Sequence, residues 1–388
     1  MMRKRWSGPY CWSGLWRYSL SFSLATCAFA ACAINLGGAA RAAGTLEIGA
    51  ILPLTGGAAS LGTASRNGIE LARSEYNASR STAEPELGVI SEDDRAEPAA
   101  SVSALQKLIA ANGIRIVIGP LSSGSTLAVA PVAERNRVVI VSPGASAASV
   151  SNAGDYIFRV ELSEALGARA EAELGYQRLK YRRLGILSVR NEYGVGTVQI
   201  FRRRFTELGG NIVADESFLP GTTDFRTALQ KIKTTSPDAI FVVFQDQDMI
   251  VNILKERAEL GVTAAVYTTP VFDDPDNLRV LGRLAENVIY AYYGTFDANS
   301  AGNGRFSQAY QRRFNDRPTY FAALGYDAAR VAIQALRTSG FDQNRVKDNL
   351  YKIHNFPGVT GNISFDRNGD VVKPVTLKTV RGGRFVAY

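Results

Sequence analysis

Short apolar runs alternate with amphipathic stretches over most of this chain, and that alternation constrains the fold more than any single residue. Runs at 46–54, 87–90, 114–118 and 138–141 read as strands. Between them, 64–76, 98–111 and 126–135 carry apolar residues at helical spacing, as in Ile69, Leu71, Ala72 and Tyr76. The pattern resumes after an extended segment at 156–160. Strands are expected at 184–189, 212–218, 239–244, 266–269 and 288–293, and helices at 162–179, 196–208, 225–233 and 248–260. Strand–helix repetition builds a parallel sheet with helices on both faces. The expected class is therefore α/β, with two Rossmann-like lobes meeting near Val160. Three further helices follow at 306–314, 320–338 and 346–353. The tail, 361–388, alternates around Asn368-Gly369, which reads as a hairpin turn.

The length of 388 residues and the 46% hydrophobic content suit two domains with sizeable cores. The net charge of +8 is unevenly placed: Arg3, Lys4, Arg5, Arg17 and Arg41 lie in the first 42 residues, which hold no acid. Elsewhere no basic stripe interleaves with aromatics, so no nucleic-acid partner is expected. The basic start, the uncharged apolar stretch 19–36 and Ala40-Arg41-Ala42 read as a signal peptide over residues 1–42, which implies a periplasmic protein. A lipid anchor at Cys27 or Cys32 is the alternative. Cys11, Cys27 and Cys32 are the only cysteines, and His354 is the only histidine. Beyond residue 42 there is no thiolate for a disulfide, metal or nucleophile. No G-x-S-x-G elbow accompanies His354. No catalytic residue, metal or cofactor is assigned.

Ligands of open α/β sheets bind beyond the carboxyl ends of the strands. Three such ends carry polar residues. Ser122-Ser123-Gly124 follows the run 114–118 and opens a helix. Free N–H groups, serine hydroxyls and the positive end of the helix dipole make such a turn an anion site. Equally, Ser122 or Ser123 can serve simply as the helix cap. Gly144-Ala145-Ser146 ends the next strand and would join the first turn in holding a carboxylate if the two strands are neighbours. Gln245-Asp246-Gln247 ends the strand 239–244, where Asp246 suits an ammonium or hydroxyl as well as it suits an N-cap. Tyr193-Gly194-Val195-Gly196 is a partial dinucleotide fingerprint that fails at Gln199 and reads better as a tight turn. Glu92-Asp93-Asp94 reads as a solvated loop or helix-start charge rather than a metal cluster, and Arg202-Arg203-Arg204 as a solvated helix face.

The ordered set of segments resembles the type I periplasmic solute-binding proteins of the leucine/isoleucine/valine branch. It runs from Ile48-Gly49-Ala50 and Pro53-Leu54-Thr55-Gly56, through Ile118-Gly119-Pro120-Leu121-Ser122-Ser123 and Ser142-Pro143-Gly144-Ala145-Ser146. It continues through Phe158-Arg159, Tyr193-Gly194, Thr223-Asp224-Phe225 and Gly325-Tyr326-Asp327-Ala328 to Phe356-Pro357-Gly358-Val359-Thr360-Gly361. The resemblance implies two lobes joined by three hinge crossings. One lobe would comprise 43–160 plus about 294–345, the other 161–293 plus about 346–388. It implies a monomer that binds a small carboxylate-bearing solute, with branched-chain or other amino acids favoured. That solute would pass to membrane permease subunits of an ABC importer; a sensory role on the same fold is the alternative. The ligand carboxylate would rest on Ser122, Ser123, Gly144, Ala145 and Ser146, with Leu61 as a wall residue and Tyr193, Gln245 and Asp246 from the second lobe. The family's ammonium-binding acid falls near Thr269-Pro270-Val271, where this chain has none; Asp246, Asp273 and Asp274 are the substitutes at hand. Aromatic acids and amides stay open as ligands.

Overall fold

A computed structural model describes residues 44–296 and 304–388. The expected signal peptide and all three cysteines lie outside the described residues. Two sheets organise the chain. In the first, β1 (Thr45–Leu52), β2 (Glu86–Asp93), β3 (Ile116–Ile118), β4 (Val139–Ser142) and β5 (Ile157–Arg159) run parallel in the order β2-β1-β3-β4-β5. In the second, β6 (Arg183–Val189), β7 (Asn211–Phe218), β8 (Ala239–Val243), β9 (Ala265–Thr268) and β10 (Ile289–Tyr293) are parallel. The short pair β11 (Phe356–Gly358) and β12 (Gly361–Ile363) stands apart. Antiparallel β13 (Val375–Arg381) and β14 (Arg384–Ala387) complete the second sheet in the order β14-β13-β10-β9-β8-β6-β7.

The central strands are buried from end to end, which is why they read as unbroken apolar runs: Ile116, Val117, Ile118, Ile140, Val141, Phe241 and Val243 are all fully inaccessible. Helix Ala59–Ser79 packs along helix Tyr320–Thr338 so closely that Gly68 and Gly325 meet backbone. A Cβ on Gly68 would lie 2.1 Å from the Ala322 carbonyl oxygen. The chain leaves the first sheet after β5, returns to it with helices Gly304–Phe314 and Tyr320–Thr338, and rejoins the second sheet at β13. It thus passes three times between two α/β lobes.

Several expectations need correction. Helix Val346–Leu350 and the β11–β12 pair, expected with the second lobe, sit with the first: the helix contacts Tyr320–Thr338, and Asp327 of that helix accepts the Val359 and Thr360 N–H groups. Asn368-Gly369 is a turn but not a hairpin. Asp366 Oδ1 accepts from the Asn368 and Asp370 N–H groups, and the Gly369 carbonyl accepts from Arg159 of β5. The tail's hairpin turns instead at Gly382-Gly383, both at positive φ as a two-residue strand connection demands. Helix 162–179 is α only over Glu164–Glu173 and continues as a π turn over Leu174–Arg178. Helix Glu192–Glu207 begins at Asn191, whose side chain accepts from the Gly194 N–H, so Gly194 and Gly196 lie inside the helix and form no phosphate loop. A Cβ on Gly194 would strike the Val189 carbonyl at 1.9 Å, so close packing accounts for this glycine.

Candidate functional site

β3 and β4 are neighbours, so the turns that follow them lie side by side. After β3, Gly119 adopts φ +105 with its Cα against the Ile51 carbonyl, a position only glycine can fill. Ser122 is the N-cap of helix Ser123–Asn136, its hydroxyl accepting from the Ser125 N–H at 3.3 Å. Capping answers one orphan donor; the first-turn N–H groups of Ser123 and Gly124 have no intrahelical acceptor. Both residues line a cavity of about 420 Å³ between the lobes. Gly124 meets only the Pro98 side chain, at 3.7 Å from an added Cβ, so the helix end is open on that side.

The second turn plays a different part from the one expected. Ser123 Oγ accepts from the Ser146 and Ala147 N–H groups at 3.1 and 3.0 Å, and the Ala145 N–H donates to Ser142 Oγ at 3.0 Å. Those three N–H groups are therefore occupied. The Ser146 hydroxyl donates to Glu164 at 2.8 Å. Ala145 is fully buried and does not reach the cavity, whereas Gly144 and Ser146 do. Gly144 is tight against Leu121: an added Cβ would lie 2.9 Å from its Cδ1.

Leu61, Tyr193 and Gln245 also line the cavity; Asp246 does not. Asp246 caps helix Gln247–Glu259, Oδ1 accepting from the Met249 N–H at 3.1 Å, and packs across the cleft beside Gly57. Burial holds its carboxyl above the usual range. Gln245 Oε1 accepts from Asn191 Nδ2, and the Gln245 side chain also hydrogen-bonds the Asp246 carboxyl. The Tyr193 hydroxyl donates to Thr269 Oγ1 at 2.9 Å. Asp273 accepts from the Tyr290 hydroxyl and Lys378, and Asp274 caps helix Pro275–Leu281 and accepts from Ser60 of the facing lobe. Neither lines the cavity.

Sequence reasoning missed Glu161, Tyr293, Phe321 and Pro220, which line the cavity together with Pro270 and Val271 of the segment the resemblance points to. The wall is largely apolar and aromatic. Behind it lie two fully buried carboxyls. Glu164, beside Ser146, and Glu171, which accepts from the Tyr293 hydroxyl at 2.5 Å, are each pushed up to about 8 by burial. Both are thus protonated at neutral pH. Glu171 lies behind Tyr293 as Glu164 lies behind Ser146. Among the described residues no group of three or more His, Cys, Asp or Glu is placed to hold a metal ion, and no helix is long and apolar enough to cross a membrane.

Comparison with known proteins agrees with this architecture. The family model described as "Periplasmic binding protein" matches residues 45–384. The leucine-, isoleucine-, valine-, threonine- and alanine-binding protein of Pseudomonas aeruginosa is 22% identical over 346 residues, 88% of this chain and 92% of that one. The branched-chain amino acid transporter substrate-binding protein LivJ of Streptococcus pneumoniae, solved with isoleucine, superposes with a TM-score of 0.82 at 28% identity, covering 88% of this chain and 98% of that one. A solute-binding protein of an ABC transporter from Rhodopseudomonas palustris, solved with 3,4-dihydroxybenzoic acid, superposes at 0.79 with 26% identity, over 88% and 95% of the two chains.

Proposed function

The chain belongs to the periplasmic binding protein family, and from that premise we propose that it is the solute-capturing component of an ABC importer. It takes a small carboxylate with an apolar body, closes its lobes over it, and presents the closed form to membrane permease subunits. It acts as a periplasmic monomer and performs no chemistry on its ligand.

The observation that carries this reading is the open first turn of helix Ser123–Asn136. Its neutral cap leaves the Ser123 and Gly124 N–H groups and the helix dipole facing a cavity whose other walls are Leu61, Leu121, Tyr193, Tyr293, Phe321 and Val271. A helix start of this kind favours an anion, and the apolar walls favour the rest of the ligand's body. About 420 Å³ suits a ligand the size of a branched-chain or aromatic amino acid or a benzoate. The relatives named above bind isoleucine or 3,4-dihydroxybenzoic acid, two carboxylates with apolar bodies.

Thermal denaturation of the purified protein against branched-chain and aromatic amino acids, benzoates and their primary amides tests the reading. A ligand present at about 100 times its Kd stabilises the folded state by about 2.7 kcal/mol. At least one free carboxylate should raise Tm, and its amide should not. A panel in which only uncharged amides raise Tm would remove the carboxylate from the account.

A further inference from the structure

We propose that Glu161 is the acceptor for a ligand ammonium and so determines whether this cleft selects amino acids over simple carboxylic acids. This rests on the carboxylate reading above and assigns the opposite charge of the ligand to a residue outside both lobes' ligand turns, on the first crossing. Among the described residues, only Glu97 and Glu161 bring carboxylates to the cavity wall. Glu97 is exposed and engaged by Arg95 at 2.9 Å. Glu161 is 4% exposed.

Backbone geometry sets Glu161 beside the carboxylate end of the cavity. In the register of β4 and β5, Ser142 faces Arg159. The Val160 N–H donates to the Ser142 carbonyl at 3.0 Å and the Glu164 N–H to the Ser146 carbonyl at 2.8 Å. The segment 160–164 therefore runs alongside Gly144-Ala145-Ser146, whose backbone N–H groups at 146 and 147 clasp Ser123. The α-carboxylate and α-ammonium of an amino acid are neighbours, and so are these two segments.

The Glu161 carboxylate is held but incompletely answered. Both hydrogen bonds it accepts, from the Leu162 N–H at 2.7 Å and the Tyr320 hydroxyl at 2.8 Å, end on Oε1. These fix the side chain and leave Oε2 for a further donor. The nearby charges show the same shortfall. Arg159 is matched by Asp370 at 2.6 Å. Lys373, fully within the protein, donates to Thr360 Oγ1 at 2.8 Å, and that hydroxyl donates to Asp327 at 2.7 Å. Lys373 thus serves two buried acids, Asp327 and Glu161, and makes its hydrogen bond on the Asp327 side. A buried carboxylate calls for a cation in direct contact, and a ligand ammonium supplies it. Without one, burial outweighs the attraction of Lys373 and raises the Glu161 carboxyl above its ordinary range.

Calorimetric titration of the wild type and Glu161→Gln with leucine and phenylalanine, and with 4-methylpentanoate and 3-phenylpropanoate, which lack only the amino group, reads this directly. The wild type should bind at least one amino acid about 100-fold tighter than its desamino partner, as a site built for a polar group discriminates against its loss. Glu161→Gln should erase that ratio while changing desamino affinity by less than about 3-fold. Glu161→Asp, which keeps the charge at shorter reach, should retain part of the ratio and guards against a folding defect in the first variant. Equal weakening of both ligand classes, or a wild type that prefers the desamino acids, would overturn the assignment. Failure of every carboxylate in the wild type would instead overturn the carboxylate reading on which it rests.

Discussion

The two lobes each offer the cleft a strand-to-helix turn closed by an N-cap, and the caps differ by one charge. In the first lobe Ser122 caps helix Ser123–Asn136 with a neutral hydroxyl. In the second Asp246 caps helix Gln247–Glu259 with a carboxylate. Either cap satisfies a first-turn N–H. Aspartate also places its own negative charge at the positive end of the helix, so that dipole is already answered within the protein. Serine leaves the dipole to whatever enters. On the proposed reading, the same local motif makes an anion site in one lobe and a structural terminus in the other. The second lobe contributes shape instead: Tyr193, Tyr293 and Val271 and the amide pair Asn191–Gln245.

Moving the charge breaks the contrast most sharply. Ser122→Asp keeps a competent cap, so Tm should change little, yet carboxylate affinity should fall by about 100-fold or more as the added carboxylate occupies the dipole and repels the ligand. Calorimetry and a melting curve on one preparation separate the two effects. Next in size is a pH effect from the acids behind the walls. Glu164 and Glu171 titrate near 8 in the folded protein against an ordinary value of 4.5. The folded state then holds protons that the unfolded chain has lost, so the stability these two groups contribute is full below 4.5, declines as pH rises toward 8 and levels off beyond. Tm should drop by about 5 °C or more across that window, and Glu164→Gln should flatten part of the drop; a Tm that rises with pH there would contradict the protonated state.

Smaller effects test the supports. Ser123→Ala removes the acceptor for the Ser146 and Ala147 N–H groups and should destabilise by about 1–3 kcal/mol in denaturant titration, with a parallel loss of affinity as the two turns part. Asp246→Ala should cost about 0.5–2 kcal/mol of stability and leave affinity within about 3-fold, because that carboxylate lies off the cavity wall. His354→Ala should move neither quantity; a measurable loss of binding would mean the site extends where no cavity residue lies.

What was legible in the chain follows from range. Strands buried on both faces announce themselves as apolar runs, and the strand-to-helix turns at Ser122-Ser123 and Gly144–Ser146 carry local signals of glycine and hydroxyl residues. Both turns do meet at the cavity. The occupation of the second turn's N–H groups by Ser123 Oγ was not legible, since it depends on a contact 23 residues away. Of the second-lobe acids the resemblance suggests for an ammonium, Asp246 and Asp274 cap helices, Asp273 accepts from Tyr290 and Lys378, and Ser60 donates to Asp274, none of which a local sequence pattern announces. Glu161 has no local motif: it stands between Val160 and Leu162, and its place in the cavity comes from the β4–β5 register. The tail misled for a related reason. Asn368-Gly369 has hairpin chemistry, and the Asp366 N–H does donate to the Asp370 carbonyl across it, but no strand pair extends from the turn: the Gly369 carbonyl and the Asp370 carboxylate both go to Arg159 of β5.

The central claim, that a helix dipole left unanswered by its neutral cap holds the ligand's carboxylate, is tested most directly by comparing a bound carboxylic acid with its own primary amide in the wild-type protein. The carboxylate should bind at least about 30-fold tighter, roughly 2 kcal/mol, and the advantage should vanish in Ser122→Asp. An amide that binds as tightly as the acid would contradict the account.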